Sequence, residues 1–165
     1  MGVQTAISLE EYLHTSYDGL DREFRDGEVV ERTMPTYLHG KCHLRLGILL
    51  MALSERLKLY PSSEVRVCLP GKRILIADIA VFHPVEPQGV PDSPPLIAIE
   101  ILSPDDRLSE VRAKLEEYRE WGVPHVWLVD PESRILYTLN QRFQEVDTLA
   151  IPELGIEVIP SDIFK

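Results

Sequence analysis

The chain has 165 residues, 44% of them hydrophobic and 27% charged, with a formal net charge of −10. Those proportions suit a globular protein able to bury a real core as one domain, residues 1–165. The acidic balance speaks against a general nucleic-acid binder with a basic face, and the longest apolar block, Leu46 to Leu53, is too short to cross a bilayer.

Met1 to Ala6 lack the basic-then-apolar pattern of a secretory signal. Cys42 and Cys68 show no metal-ligand spacing and read as reduced thiols, so the expectation is a cytoplasmic protein without membrane contact. Charge is unevenly spread. Between Lys41 and Arg73 seven basic residues face only two acids, Glu55 and Glu64, which makes one positive stretch in an acidic chain.

Ser8-Leu9-Glu10-Glu11 has the spacing of a capping box and predicts a helix to about Ser16. Asp26-Gly27 lies between two short runs and predicts a tight hairpin. After a turn at Thr33 to Tyr37, Leu38 to Leu59 is helical and apolar most of the way round, the pattern of a helix packed on a sheet. Val65 to Leu69 alternates as a strand, Pro70-Gly71-Lys72 turns, and Ile74 to Phe82 returns antiparallel.

A proline-rich loop, His83 to Pro95, leads into the apolar strand Leu96 to Leu102. Leu108, Val111, Leu115 and Tyr118 recur at helical spacing, and Gly122 supplies the C-terminal cap. Asp105 and Asp106 read as caps at the start of that helix. Pro124 to Val129 is another core strand, Arg134–Leu139 and Phe143–Leu149 read as edge strands, and Ile156–Ile159 closes the chain. Strand, helix, strand between Glu100 and Val129 predicts a parallel crossover. The whole order fits an α/β (α+β mixed) architecture, a mixed sheet flanked by helices.

Two residues break this apolar pattern. Asp78 lies inside Ile74-Leu75-Ile76-Ala77-Asp78-Ile79-Ala80-Val81-Phe82, and Glu100 near the end of Leu96-Ile97-Ala98-Ile99-Glu100-Ile101-Leu102. A lone carboxylate in such a run is costly unless something binds it. Hard cations such as Mg²⁺ take one or two carboxylates and fill the shell with water and phosphate, and the carbonyl of Ile101 is a candidate third oxygen. A cation there would lower the pKa of bound water, and a nearby ammonium would add positive charge.

At these residues the chain resembles the PD-(D/E)XK nuclease superfamily, and more closely the bacterial Uma-two family of endonucleases. The resemblance runs through Arg25-Asp26-Gly27-Glu28-Val29-Val30, His39, Ala77-Asp78-Ile79-Ala80-Val81, Ile99-Glu100-Ile101-Leu102-Ser103-Pro104, Lys114 with Tyr118, Gly122-Val123-Pro124 and Trp127-Leu128-Val129-Asp130-Pro131. It implies a restriction-endonuclease-like core and a metal-dependent endonuclease acting on phosphodiester bonds in DNA. Asp78 and Glu100 would hold Mg²⁺ (or Mn²⁺), with Lys114 as the catalytic lysine. It also brings Glu28 and His39 into consideration, Glu28 approaching the metal from outside and His39 either contacting a phosphate or capping its helix. Two departures are visible: Ala77 stands where the family prefers proline, and Leu102 occupies the superfamily's usual lysine position. Leu102, together with the acidic balance, motivates the alternative, a catalytically inactive nuclease-like module that binds nucleic acid or protein. A homodimer formed through the strands after Arg134 is a further expectation.

Overall fold

The computed structural model describes residues 6–165; Met1 to Thr5, on which the reading of the chain start largely rested, lie outside the described residues. The first helix, α1 (Leu9–Leu13), begins where Ser8 Oγ accepts the Glu11 N–H at 3.1 Å. It ends short of Ser16 because the side chains of His14 and Thr15 bond the Glu10 and Glu11 carbonyls, the groups a further turn would use. The predicted hairpin forms as β1 (Glu23–Arg25) and β2 (Glu28–Val30), with Asp26 and Gly27 both at positive φ. Helix α2 (Tyr37–Leu57) starts with Thr36 accepting the His39 N–H and stops at Lys58 in the left-handed region.

Strand β3 (Tyr60–Leu69) starts earlier than the alternation of Val65 to Leu69 suggested. Pro61 is tolerated inside it because β3 pairs only with β4 (Arg73–Phe82) and is otherwise an edge. Beyond the proline-rich loop, β5 (Ile97–Ile101), α3 (Leu108–Trp121) and β6 (His125–Asp130) form the expected crossover, with β5 and β6 parallel from Ile97↔His125 to Ile101↔Val129. Strands β7 (Ile135–Leu139) and β8 (Phe143–Val146) extend the sheet antiparallel. The stretch expected to run on to Leu149 instead breaks after Val146. Leu149–Ile151 (β9) and Ile156–Val158 (β10) pair with each other as a separate ribbon, followed by the short helix α4 (Pro160–Ile163).

The result is an eight-stranded mixed sheet with helices on its faces, as the sequence indicated. Alternation along β4 and β5 divides it. Ile79, Val81, Ile97, Ile99 and Ile101 face Leu46 and Leu50 of α2, with Trp127, β9 and β10 completing that layer. Ala80 and Ala98 face the other way, against Leu115 and Tyr118 of α3. Each buried isoleucine or leucine contributes about 2 kcal/mol by leaving water, so both layers hold the strands in register. No helix among the described residues is long and apolar enough to cross a membrane.

Candidate active site

Strand β3 covers one edge of β4 from Arg73 to Phe82. The opposite edge is shared: β1 meets it at Ile74, while β5 meets it at Ile79 to Val81. The two neighbours part between those points, so Ile76 has no strand to pair with on that side. Side chains take the strand's place. Glu23 Oε1 accepts the Ile76 N–H at 3.1 Å, and Lys114 Nζ donates to the Ile76 carbonyl at 2.7 Å. A buried backbone pair left bare would cost free energy comparable to a lost hydrogen bond, so this gap calls for a carboxylate and an ammonium.

Asp78 stands at the end of the gap. The β4–β5 register, extended by one pair beyond Ile79↔Ile99, sets it opposite Glu100, and cross-strand partners project from the same face. Both are buried, at 3% and 7% exposure. Asp78 Oδ2 accepts the Ile101 N–H at 2.7 Å and lies 3.3 Å from His39 Nε2; Oδ1 accepts from Arg32 Nη2 at 3.0 Å. Glu100 Oε2 accepts from Lys114 Nζ at 2.9 Å, and Oε1 accepts the Tyr118 hydroxyl at 3.0 Å. Lys114 also pairs with Glu23 Oε1 at 2.8 Å. Glu23, Arg32, His39, Asp78, Glu100 and Lys114 line a cleft of about 350 Å³ that reaches the surface between the hairpin and the start of α3.

The electrostatics follow from three carboxylates around one lysine. Burial works against the charge on Lys114, yet Glu100, Glu23 and Asp78 keep its pKa above the usual lysine value, so it remains an ammonium. Burial also opposes the charges on Asp78 and Glu23. The His39 hydrogen bond and Lys114 hold Asp78 below the usual carboxylate range, while Lys114 and then Arg25 do the same for Glu23. Glu100 is the acid that gives way: burial pushes it up to about 8, Lys114 offsets only part of this, and Asp78 and Glu23 add to it.

The sequence-predicted residues do not all converge. Asp78, Glu100, Ile101, Lys114 and His39 border the cleft. Glu28 does not: it is exposed on β2, the outermost strand of the hairpin. The inner strand β1 is the one adjacent to the gap, so an acid from the hairpin reaches the site from Glu23 instead. A usable signal was the alternation Glu23-Phe24-Arg25, which sends Phe24 into its own core cluster and leaves Glu23 and Arg25 on the other side. Tyr118, expected purely as core, is also a hydrogen-bond donor to Glu100, and its spacing of four from Lys114 puts both on one helix face. Arg32 gave no local signal at all. It bridges Asp78 to Glu64, which lies across from Asp78 on β3.

Asp106 is not a cap for α3, whose N-cap position is Arg107, without a side-chain cap bond; Asp106 accepts the Ser103 N–H at 2.7 Å and the Thr33 hydroxyl, tying the cleft's rim together. The positive stretch from Lys41 to Arg73 is partly consumed within the fold. Arg66 binds Asp21, and Arg73 binds Glu117.

A family profile for Uma2, described as "Putative restriction endonuclease", matches residues 9–165. The chain belongs to that family. Membership gives it a nuclease-like role in outline. A solved structure described as a "putative nuclease belonging to DUF820" from Anabaena variabilis ATCC 29413 superposes with a TM-score of 0.82 over 96% of this chain and 97% of that one, at 22% identity. At that identity the likeness shows the fold: the restriction-endonuclease-like arrangement expected from the resemblance. No curated protein matches the chain.

Whether the residues fit a cation can be judged from the donors present. Among the described residues no group of three or more His, Cys, Asp or Glu side chains is disposed to hold a metal. A rigid all-protein cage is therefore absent from the described residues. Two carboxylates, Asp78 and Glu100, suit a divalent cation that keeps water and substrate phosphate as its remaining ligands, and the proton that burial favours on Glu100 would be released when a cation binds. Zinc, which prefers nitrogen and sulfur donors, fits poorly.

Proposed function

We propose that the cleft hydrolyses phosphodiester bonds in DNA, with Mg²⁺ or Mn²⁺ held by Asp78 and Glu100. The carrying observation is the pairing of these two carboxylates on one face of the sheet, with the Lys114 ammonium 2.9 Å from Glu100. The cation, when bound, supplies a more acidic water and stabilises charge on a phosphoryl oxygen. Asp78 is presented for binding by the Ile101 N–H, and Tyr118 and Lys114 orient Glu100. The Ile101 carbonyl is the third oxygen in this reading. His39, in the first turn of α2 and on the wall of the cleft, would contact a substrate phosphate in this reading. Residues 1–165 act as a single unit, and the substrate is reached from the cytoplasm.

One observation favours the second reading, an inactive module that binds nucleic acid or protein. All three Lys114 protons are spent, on Ile76, Glu100 and Glu23, and Asp78 is held by Arg32. In the nuclease reading Glu100 would hold the cation in place of its bond to Lys114, which would leave one ammonium N–H to face the attacking water or the phosphate. Incubation with supercoiled plasmid and Mg²⁺ or Mn²⁺ separates the two readings. Nicking should fall at least about a hundredfold in Asp78→Asn, the loss typical of a removed electrostatic group. Equal nicking by wild type and variant removes the nuclease reading.

A further inference from the structure

The inner face of α2 is core, but its outer face is not polar. Leu44, Ile48 and Met51 are 66%, 62% and 56% exposed, and Tyr37 continues the same stripe toward the helix start. At 100° per residue all four lie within one narrow arc of the helix. Lys41 and Glu55 fall in that arc too, one on each side of the apolar patch. Neither has an ion-pair partner among the described residues. Beside the stripe runs a groove of about 720 Å³ whose far wall is Pro61 to Ser63 on the edge strand β3.

Two glycines line this groove, Gly40 and Gly47, both inside the helix. Each costs about 1 kcal/mol against alanine in a helix interior. The fold itself does not require them: a Cβ at either position would meet nothing within 4 Å. Glycine without a reason inside its own chain fits a backbone approached closely from outside.

We propose that this face is the contact between two copies of the chain, with the α2 helices antiparallel about a two-fold axis near Ile48. The charges favour this occupant. Lys41 and Glu55 lie seven residues to either side of Ile48, so an antiparallel partner sets Lys41 of each copy against Glu55 of the other. Leu44 comes opposite Ala52 in the same register, next to Met51, and Ile48 meets its own copy at the axis. Both interfacial charges are thereby paired and the stripe leaves water, as a self-complementary two-fold interface requires. A parallel pairing would oppose like charges. This contact is distinct from the strands after Arg134: β8 is only four residues long and offers a short edge. It leaves the cleft open, because His39 and the hairpin lie past the N-terminal end of the patch, and it does not depend on any catalytic reading.

Sedimentation of the full chain tests it. The wild type should sediment as a dimer, and Ile48→Glu as a monomer with its dissociation constant raised about thirtyfold or more, the size of a hot-spot loss. Lys41→Glu and Glu55→Lys should each weaken the dimer, whereas the two variants mixed should re-form it as a heterodimer in which every cross-pair is again opposite in sign. Far-ultraviolet dichroism confirms that each variant is folded, as expected for exposed positions. A monomeric wild type overturns the proposal. So does a dimer indifferent to Ile48→Glu, which would place the contact elsewhere, or single-charge variants that do not recover on mixing.

Discussion

The two faces of β4 and β5 are made from the same two strands, yet they differ in kind. Towards α2 the odd-numbered positions Ile79, Ile99 and Ile101 build a dry layer with Leu46 and Trp127. Towards α3 the same strands carry Asp78 and Glu100, and Lys114 and Tyr118 meet them from the helix. One face is held by area removed from water, the other by a closed set of charged hydrogen bonds around a gap in the sheet. The lesson is that burial by itself does not separate scaffold from site; what separates them is whether a buried group could be replaced by an apolar one without loss.

That contrast can be broken most severely at Lys114. Lys114→Met removes the ammonium shared by Glu23 and Glu100 and leaves the Ile76 carbonyl bare. Breaking a buried ionic cluster by removing one partner costs about 3–5 kcal/mol. Urea unfolding should show a loss of that size, and a change under about 1 kcal/mol would mean that water already reaches the cluster. On the dry face, Leu46→Ala should cost about 2–5 kcal/mol through lost burial and a cavity. It should leave the affinity for Mn²⁺, measured by calorimetry, unchanged. A parallel loss of cation binding would show that the two faces are coupled rather than separable.

A smaller effect distinguishes the faces by pH. Burial pushes the folded-state pKa of Glu100 up to about 8 from an ordinary 4.5, so between those values the folded protein holds a proton that the unfolded chain has released. Its contribution is full below about 4.5 and is lost as pH rises through about 8, so the metal-free protein becomes less stable across that window. His39, whose pKa is raised by Asp78, works in the same direction, and His125, lowered by burial, works against it. Glu100→Gln isolates the carboxyl. Denaturation at pH 5.5 and 8.5 should show a shallower decline in that variant than in wild type, whereas an equal decline would assign the slope to the histidines. Asp78 and Glu23, both held low, contribute in full above about 4.5 and lose that contribution only as pH falls further, outside this window.

Much of this division was legible in the sequence. Asp78 and Glu100 stand out because the runs around them are apolar, and the crossover through α3 follows from helical spacing after a strand. What could not be read was the gap. It arises where β1 and β5 divide one edge of β4, a matter of strand order and register, and nothing local to Ile76 announces it. Glu23 and Arg32 belong to that gap and were missed for the same reason: each is an ordinary charged residue in its own segment. The family resemblance pointed to the right hairpin but to Glu28, the acid on its outer strand.

The smallest predicted effect tests that last point. Glu28 is exposed and makes no contact with the cleft, so Glu28→Gln should change stability by less than about 0.5 kcal/mol, as for most surface substitutions. Nicking and Mn²⁺ affinity should stay at the wild-type level. Glu23→Gln, by contrast, keeps the carbonyl oxygen for the Ile76 N–H but removes the charge facing Lys114 and Arg25. Glu100 would then be the one carboxylate paired directly with the ammonium, which would compete more strongly with any cation there, so Mn²⁺ affinity should drop in this variant. If Glu28→Gln weakened cation binding while Glu23→Gln did not, the outer strand would have to turn inward on loading, and the assignment of the hairpin's acid to β1 would be reversed.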